Sequence, residues 1–126
     1  LELRHWDDNL LIAEPQRDFE NRNRFKVIRQ GRGLIDYFGG DLSGTLLPTP
    51  NAPDSSPGQG LHLVVQLLDA AFRSKGAKDN QSTGIAKDGM FVRTDILVIP
   101  VSNTGKRADK LIALIYAEQV SDTAPE

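Results

Sequence analysis

The protein has 126 residues, of which 39% are hydrophobic and 25% are charged, a size and composition that suit one folded domain with a single core. Its 15 basic and 17 acidic side chains give a net charge of −2, so nothing in its overall charge attracts nucleic acid or an anionic membrane. The absence of cysteine excludes disulfides, thiolate catalysis and cysteine-based metal sites.

The N-terminal part of the chain predicts a short helix followed by two strands. Residues 1–9 carry apolar side chains at helical spacing, and residues 10–14 form a compact apolar run that Pro15 ends. Residues 24–30 then alternate as a strand does, which places Arg29 on the apolar, inward face. A charge in that position needs an internal acid or an anionic ligand as its partner.

The middle of the chain predicts two helices separated by a long loop. Glycines after the second strand lead into a short helix at residues 34–38. Residues 47–60 contain four of the seven prolines, a density that excludes regular structure, so we expect a loop there. Residues 61–74 are the clearest helix, with an apolar stripe along one side. The stripe consists of Leu61, Val64, Val65, Leu68, Ala71 and Phe72.

Three further strands are predicted at residues 81–87, 90–101 and 111–118. An Asp-Gly pair and an Asn-Thr-Gly triplet between them are typical hairpin turns. The last two strands are apolar on both faces, which indicates that both faces are buried. One face meets the helices, and we expect the other to meet a further surface. The predicted fold is α+β, a five-stranded antiparallel sheet with helices packed on one face.

Two stretches make the pattern more specific. Residues 25–44, FKVIRQGRGLIDYFGGDLSG, and residues 95–114, DILVIPVSNTGKRADKLIAL, contain a strand-to-helix step and a closing hairpin. With the order of elements, they resemble a bacterial subfamily of PAS domains. The resemblance implies one domain over residues 1–126 that acts as a sensor or protein-interaction module. Such modules are often dimeric, often attached to a kinase or another signalling output, and in some cases hold a small ligand.

Our leading hypothesis is a non-catalytic signalling domain that dimerises or relays a signal to an attached or partner output domain. The apolar outer side of the last strands motivates a homodimer. The predicted interface residues are Trp6, Ile112, Leu114 and Tyr116. A second hypothesis is a small-molecule receptor with a pocket between the sheet and the helices. The predicted lining residues are Arg29, Tyr37, Phe38 and Arg93.

The third hypothesis, a small enzyme, lacks the residues it needs. The two histidines, His5 and His62, lie on predicted solvent-facing positions, and no serine sits in a nucleophile elbow. The glycines at positions 31 and 33 are followed by Asp36 instead of the third glycine of a dinucleotide fingerprint. No acidic cluster has metal-ligand spacing, and the basic cluster at residues 22–32 is interpreted as a solvated strand face, Arg29 apart.

We therefore predict no enzymatic activity, no metal and no cofactor. We expect a cytoplasmic protein without nucleic-acid binding or membrane insertion, since no apolar run approaches the roughly 18 residues that span a bilayer. The sequence opens at Leu1 without a methionine, and we expect it to be part of a longer protein.

Overall fold

The computed structural model of the protein describes residues 6–48, 60–85, 89–102, 105 and 108–120. Within these residues, six strands form one antiparallel sheet with the order β3-β2-β1-β6-β5-β4. The strands are β1 (Leu10–Arg17), β2 (Asn23–Gln30), β3 (Leu46–Leu47), β4 (Lys78–Ile85), β5 (Phe91–Val101) and β6 (Lys110–Val120). The described helices are a 3-10 helix at Trp6–Asn9, α1 (Arg32–Phe38) and α2 (Gly60–Ser74).

The core lies between the helices and one face of the sheet, which we call the inner face. Side chains of four strands on this face are at most 1% exposed. They are Leu11, Ala13, Phe25, Val27, Ile96, Val98, Leu111, Ala113 and Ile115. Helix α2 covers them with Val64, Leu68 and Ala71, all from the predicted stripe. Each buried CH₂ group contributes about 0.8 kcal/mol to the free energy of folding, so this layer is the main source of stability. The predicted α+β fold with helices on one face is confirmed.

The sheet has one more strand than the sequence predicted. Leu46 and Leu47 pair with Lys26 and Phe25 at the edge of β2, and Leu47 is fully buried. Leu47 had been assigned to the proline-rich loop at residues 47–60, and this part of that prediction is wrong. Residues 49–59 of the loop and residues 1–5 of the N-terminal helix lie outside the described residues.

Strand β1 also runs past the point where the sequence ended it. It continues through Pro15, which pairs with Phe25, to Arg17. The partner strand β6 accompanies β1 only from Leu10 to Ala13. Beyond Ala13, β1 therefore has a neighbour on one side only, and a residue without a backbone N–H is tolerated at such an edge.

A β-bulge in β2 changes the direction of the following side chains. Ile12 lies opposite Arg29, whereas the next residue of β1, Ala13, lies opposite Val27. Ile28 is therefore left without a partner, and the alternation of side chains reverses at this point. Arg29 lies on the same face as Ile12, opposite the face that α2 covers. The predicted inward position of Arg29 is wrong, because simple alternation does not foresee an extra residue.

The same bulge turns Gln30 toward the helices. Its Nε2 donates to the carbonyl of Gly40 at 3.3 Å, and its Oε1 accepts from the backbone N–H of Leu42 at 2.5 Å. Leu42 is completely buried. Gln30 thus holds the segment that follows α1 against the core.

Gly31 is required by a close backbone approach and not by a bound phosphate. Its N–H donates to the carbonyl of Leu10 at 2.8 Å. A Cβ at this position would lie 2.5 Å from the carbonyl carbon and oxygen of Asp8. The 3-10 helix therefore packs directly on the junction between β2 and α1, where only glycine fits.

We expect Gly31→Ala to lower the free energy of unfolding by about 1–3 kcal/mol, because backbone atoms of the 3-10 helix would have to move. Gly76→Ala is the matched control, since a Cβ there would approach only the Ser74 hydroxyl at 3.8 Å. Urea unfolding of both variants tests this. Equal stability of the two variants would contradict the close packing.

Candidate interaction surface and arginine groove

The residues predicted to line a sheet–helix pocket do not come together. Tyr37 and Phe38 are neighbours on α1, with ring centroids 5.0 Å apart at 67°. Phe38 is fully buried in the core, and the Tyr37 hydroxyl lies 3.2 Å from the hydroxyl of the buried Thr94. This pair of residues packs the inner face as part of the core.

The two predicted arginine anchors lie on the other face of the sheet, which we call the outer face. Arg29 donates from Nη2 to Asp7 at 2.7 Å, and both side chains are more than half exposed. Arg93 forms an ion pair with Glu118, its cross-strand partner. The structure therefore does not bring Arg29 and Arg93 into a pocket between the sheet and the helices, and the partner of Arg29 is the exposed Asp7 instead of an internal acid.

The outer face carries a continuous apolar area across three neighbouring strands. Leu10 and Leu97 both lie opposite Leu114. Ile12 and Ile99 both lie opposite Ile112. These side chains thus form two adjacent rows across the strands, as cross-strand neighbours do. Leu97 and Ile99 are each 37% exposed.

The predicted interface residues Ile112, Leu114 and Tyr116 are part of this outer face, on β6. The third residue, Tyr116, lies opposite Asp95 at the side toward β4. The Trp6 side chain lies outside the described parts of the structure. The interface itself stays a prediction, but these three residues of β6 share the face opposite α2.

Tyr116 borders a groove of about 590 Å³ on this face. Leu97 and Leu114 form its apolar walls, and Asp79 and Asp95 stand beside them. The Tyr116 hydroxyl is buried, yet it has no hydrogen-bond partner within the described residues. A buried hydroxyl without a partner has lost its hydrogen bonds to water without replacement, so it lowers the stability of the fold.

A second groove, which we call the arginine groove, lies between the β1–β2 turn and α2. Its volume is about 580 Å³. The arginines that line it are Arg17, Arg22, Arg24 and Arg73. The other lining residues include Asn23, Phe25, Pro48, Val65 and Asp69.

Asp18 organises the turn beside this groove. Its Oδ1 accepts from the backbone N–H groups of Arg22 and Glu20, each at 2.9 Å. Its Oδ2 accepts from Nε of Arg24 at 3.0 Å and from Nε of Arg22 at 3.2 Å. The backbone bond from Arg22 is the main reason that the pKa of Asp18 falls from 3.8 to about 2, and the guanidinium of Arg24 adds to the effect.

Neither a metal site nor a membrane-spanning helix is found in the described parts of the chain. No three His, Asp or Glu side chains there lie close enough together to hold a metal ion. The longest described helix, α2, has 15 residues, and none has both the length and the apolar character needed to cross a bilayer.

Solved structures of light-oxygen-voltage domains resemble this chain over nearly its whole length. One such domain, studied with a flavin analogue, is 13% identical, with a TM-score of 0.55 over 95% of this chain and 82% of that chain. The dark structure of the blue-light photoreceptor aureochrome 1 has the same identity and TM-score, with 95% and 80% coverage. No protein-family model and no curated protein matches the sequence.

The likeness extends to a multidomain protein. A blue-light-activated histidine kinase from Erythrobacter litoralis is 18% identical, with a TM-score of 0.54 over 93% of this chain. The match covers 35% of the kinase, so this chain corresponds to one part of it. The chain has a PAS-like fold. Identities of 13–18% establish the fold alone, and the bacterial subfamily of this PAS-like domain stays a prediction.

Sequence reasoning missed the arginine groove of the PAS-like domain. Arg17 and Arg73 are not among the predicted site residues. Asn23 and Asp69 meet across 46 positions of sequence, so no local spacing brings the groove residues together. The arginine-rich composition of residues 17–24 was the one available signal, and such composition is also typical of solvated turns.

We expect opposite effects from removing the two tyrosine hydroxyls. Tyr116→Phe removes a buried hydroxyl without a partner, so the free energy of unfolding should stay unchanged or rise by up to about 1 kcal/mol. Tyr37→Phe removes the bond to Thr94 and should lower that energy by about 0.5–1.5 kcal/mol. Chemical denaturation of both variants is the measurement. A Tyr116→Phe variant less stable than Tyr37→Phe would refute this assignment.

Acid should loosen the β1–β2 turn at a pH set by Asp18. Because the folded pKa is about 2 and the ordinary value is 3.8, the contribution of Asp18 to stability is fully present above 3.8. It is lost as the pH falls from 3.8 through about 2. The backbone amide resonances of Glu20 and Arg22 should titrate with a midpoint near the lower value. In Asp18→Asn these resonances should not titrate. A midpoint near the ordinary pKa of 3.8 in the native protein would show that the carboxylate does not accept these hydrogen bonds.

Proposed function

We propose that this PAS-like domain is a non-catalytic sensory module that forms a homodimer through its outer sheet face and relays a signal to an attached or partner output domain. The observation that carries the proposal is the apolar area shared by β1, β6 and β5. Within the described residues, α2 packs on the opposite face, and an apolar sheet face with partly exposed side chains such as Leu97 and Ile99 favours association.

The composition of the outer face favours a specific interface over nonspecific hydrophobic association. Its apolar centre is built around Leu97, Ile99 and the rows of β6 that lie opposite them. The borders of the outer face carry charges of both signs. The Arg93–Glu118 ion pair lies at one end, and Lys110 lies opposite Val101 at the other end. Protein interfaces usually have few charged residues at the centre and a polar rim.

A second copy of the chain is the partner that this arrangement favours. In a two-fold dimer each patch meets an identical patch, so charges of both signs on one surface can pair across the axis. Acidic side chains beside the Tyr116 groove, Asp79 and Asp95, then have basic counterparts available in Arg93 and Lys110 of the second copy.

Proteins of the same fold are consistent with both parts of the proposal. The fungal blue-light photoreceptor Vivid, 12% identical with a TM-score of 0.52, has been solved as a light-state dimer. The Erythrobacter litoralis protein combines the fold with a histidine kinase. Association and attachment to an output are thus both known for this architecture. A cytoplasmic location, for which the lack of cysteine is the support, belongs to the same proposal.

The two rival hypotheses lose support. A receptor with a sheet–helix pocket was to use Arg29 and Arg93 as anchors, and both lie on the outer face. An enzyme needs a nucleophile near a base, yet the exposed His62 pairs with Gln66 at 3.1 Å along the surface of α2.

We expect Leu97→Glu to weaken self-association at least about ten-fold, equivalent to ~1.4 kcal/mol, because it places a charge in the apolar centre. Phe19→Glu is the matched control. Phe19 is 97% exposed in the β1–β2 turn, off the outer face, and its replacement should leave association unchanged. Sedimentation equilibrium over a range of protein concentrations measures both. A native protein that is monomeric throughout that range, or equal weakening by the two variants, would overturn the proposal.

A further inference from the structure

We propose that the arginine groove binds a small molecule that carries a phosphate group. The groove lies at the helix-covered side of the sheet, between the β1–β2 turn and the exposed side of α2. It is separate from the outer face, so the inference goes beyond the proposed dimerisation and does not depend on it.

The groove is positively charged although the protein as a whole is negative. Four arginines and one acid, Asp69, line it. With Asp18 and Glu20 included as ion-pair partners of Arg22, the four positive charges face three negative charges. A local excess of one positive charge contrasts with the net charge of −2 for the chain. An anionic ligand would neutralise that excess.

Arg17 supplies the charge that no acid balances. Its Nη1 donates to the neutral side-chain carbonyl of Asn21 at 2.9 Å, and within the described residues it forms no ion pair. It pairs across the strands with Asn23, whose Nδ2 donates to Asp69 at 3.3 Å. Arg17 therefore lines the same groove as Asp69 and, within the described residues, brings a guanidinium without an ion-pair partner.

Arg24 and Arg73 each form an ion pair before any ligand arrives, and Arg24 is mostly buried as well. Arg24 is 19% exposed, and donates from Nε to Asp18 and from Nη1 to the carbonyl of Pro48 at 3.1 Å. Arg73 donates from Nε to Asp69 at 3.0 Å. Both ion pairs use Nε, so Arg24 keeps Nη2 and Arg73 keeps both Nη atoms as donors for a ligand. A preorganised donor set loses less entropy on binding than mobile side chains do.

Phosphate fits this donor set better than other anions. The guanidinium group is planar and forms paired N–H···O bonds, and it stays charged at all physiological pH values. A tetrahedral phosphate has enough oxygens to accept from several guanidinium groups at once. The groove also has apolar walls, formed by Pro48 and Val65 with the edge of Phe25, against which a carbon framework can pack. Its volume of about 580 Å³ lies within the range of small-molecule sites.

The experiment is a titration of the native protein with sodium pyrophosphate at constant ionic strength, followed by backbone amide resonances. We expect saturable shifts at Arg17, Asn23 and Arg73, with affinity at least about ten-fold lower in Arg17→Gln and in Arg73→Gln. Arg32→Gln is the matched control, because Arg32 is an exposed arginine at the start of α1, past the opposite end of β2. Its affinity should equal that of the native protein. The amide spectrum of each free variant verifies its fold.

Three results would overturn the inference. One is the lack of saturable shifts in the groove, and another is equal weakening by Arg17→Gln and Arg32→Gln. The third is saturable binding of sodium citrate in a protein that pyrophosphate leaves unaffected, since the groove would then select carboxylates. Sedimentation of the same samples distinguishes failure here from failure of the proposed dimer, because that association depends on Leu97 and not on Arg17.

Discussion

Burial of the inner sheet face beneath α2 is the interaction on which the other features depend. Once Val64 and Leu68 seal Ile96 and Ile115 from water, each strand can present only its alternate residues to the outer face. A slip of one residue would expose the whole core layer, so the register of the central strands is firmly set. The position of the arginine groove follows as well, since it lies where the end of α2 meets the start of β2.

This arrangement separates two surfaces with different chemistry. The outer face is apolar at the centre, and its strands are rigid because each of its central members has two neighbours. The arginine groove is charged and polar, and it joins a turn to a helix through the contact between Asn23 and Asp69. The proposed association surface and the proposed ligand groove share one sheet, so occupancy of one can bias the other only through that sheet.

The bulge at Ile28 illustrates why local rules fail at particular residues. Alternation in β2 placed Arg29 inward, and one unpaired residue reversed it. The result is chemically favourable. Arg29 reaches Asp7 in a solvated ion pair, and Gln30 turns inward to satisfy the backbone at Gly40 and Leu42, so the charge of Arg29 stays in water. The bulge thus places Arg29 in solvent, although it follows the inward apolar residues Phe25 and Val27 in β2.

The sequence by itself determined the fold class, the amphipathic helix at residues 61–74, the closing hairpins and the apolar outer side of β5 and β6, because each follows from local periodicity and turn chemistry. Only the tertiary structure decided the direction of Arg29, the place of Arg93, the edge strand at Leu46–Leu47 and the arginine groove. These depend on register, on a bulge and on contacts between segments far apart in the chain. No local pattern encodes such contacts, since their energies exist only after the strands have paired and α2 has packed on them.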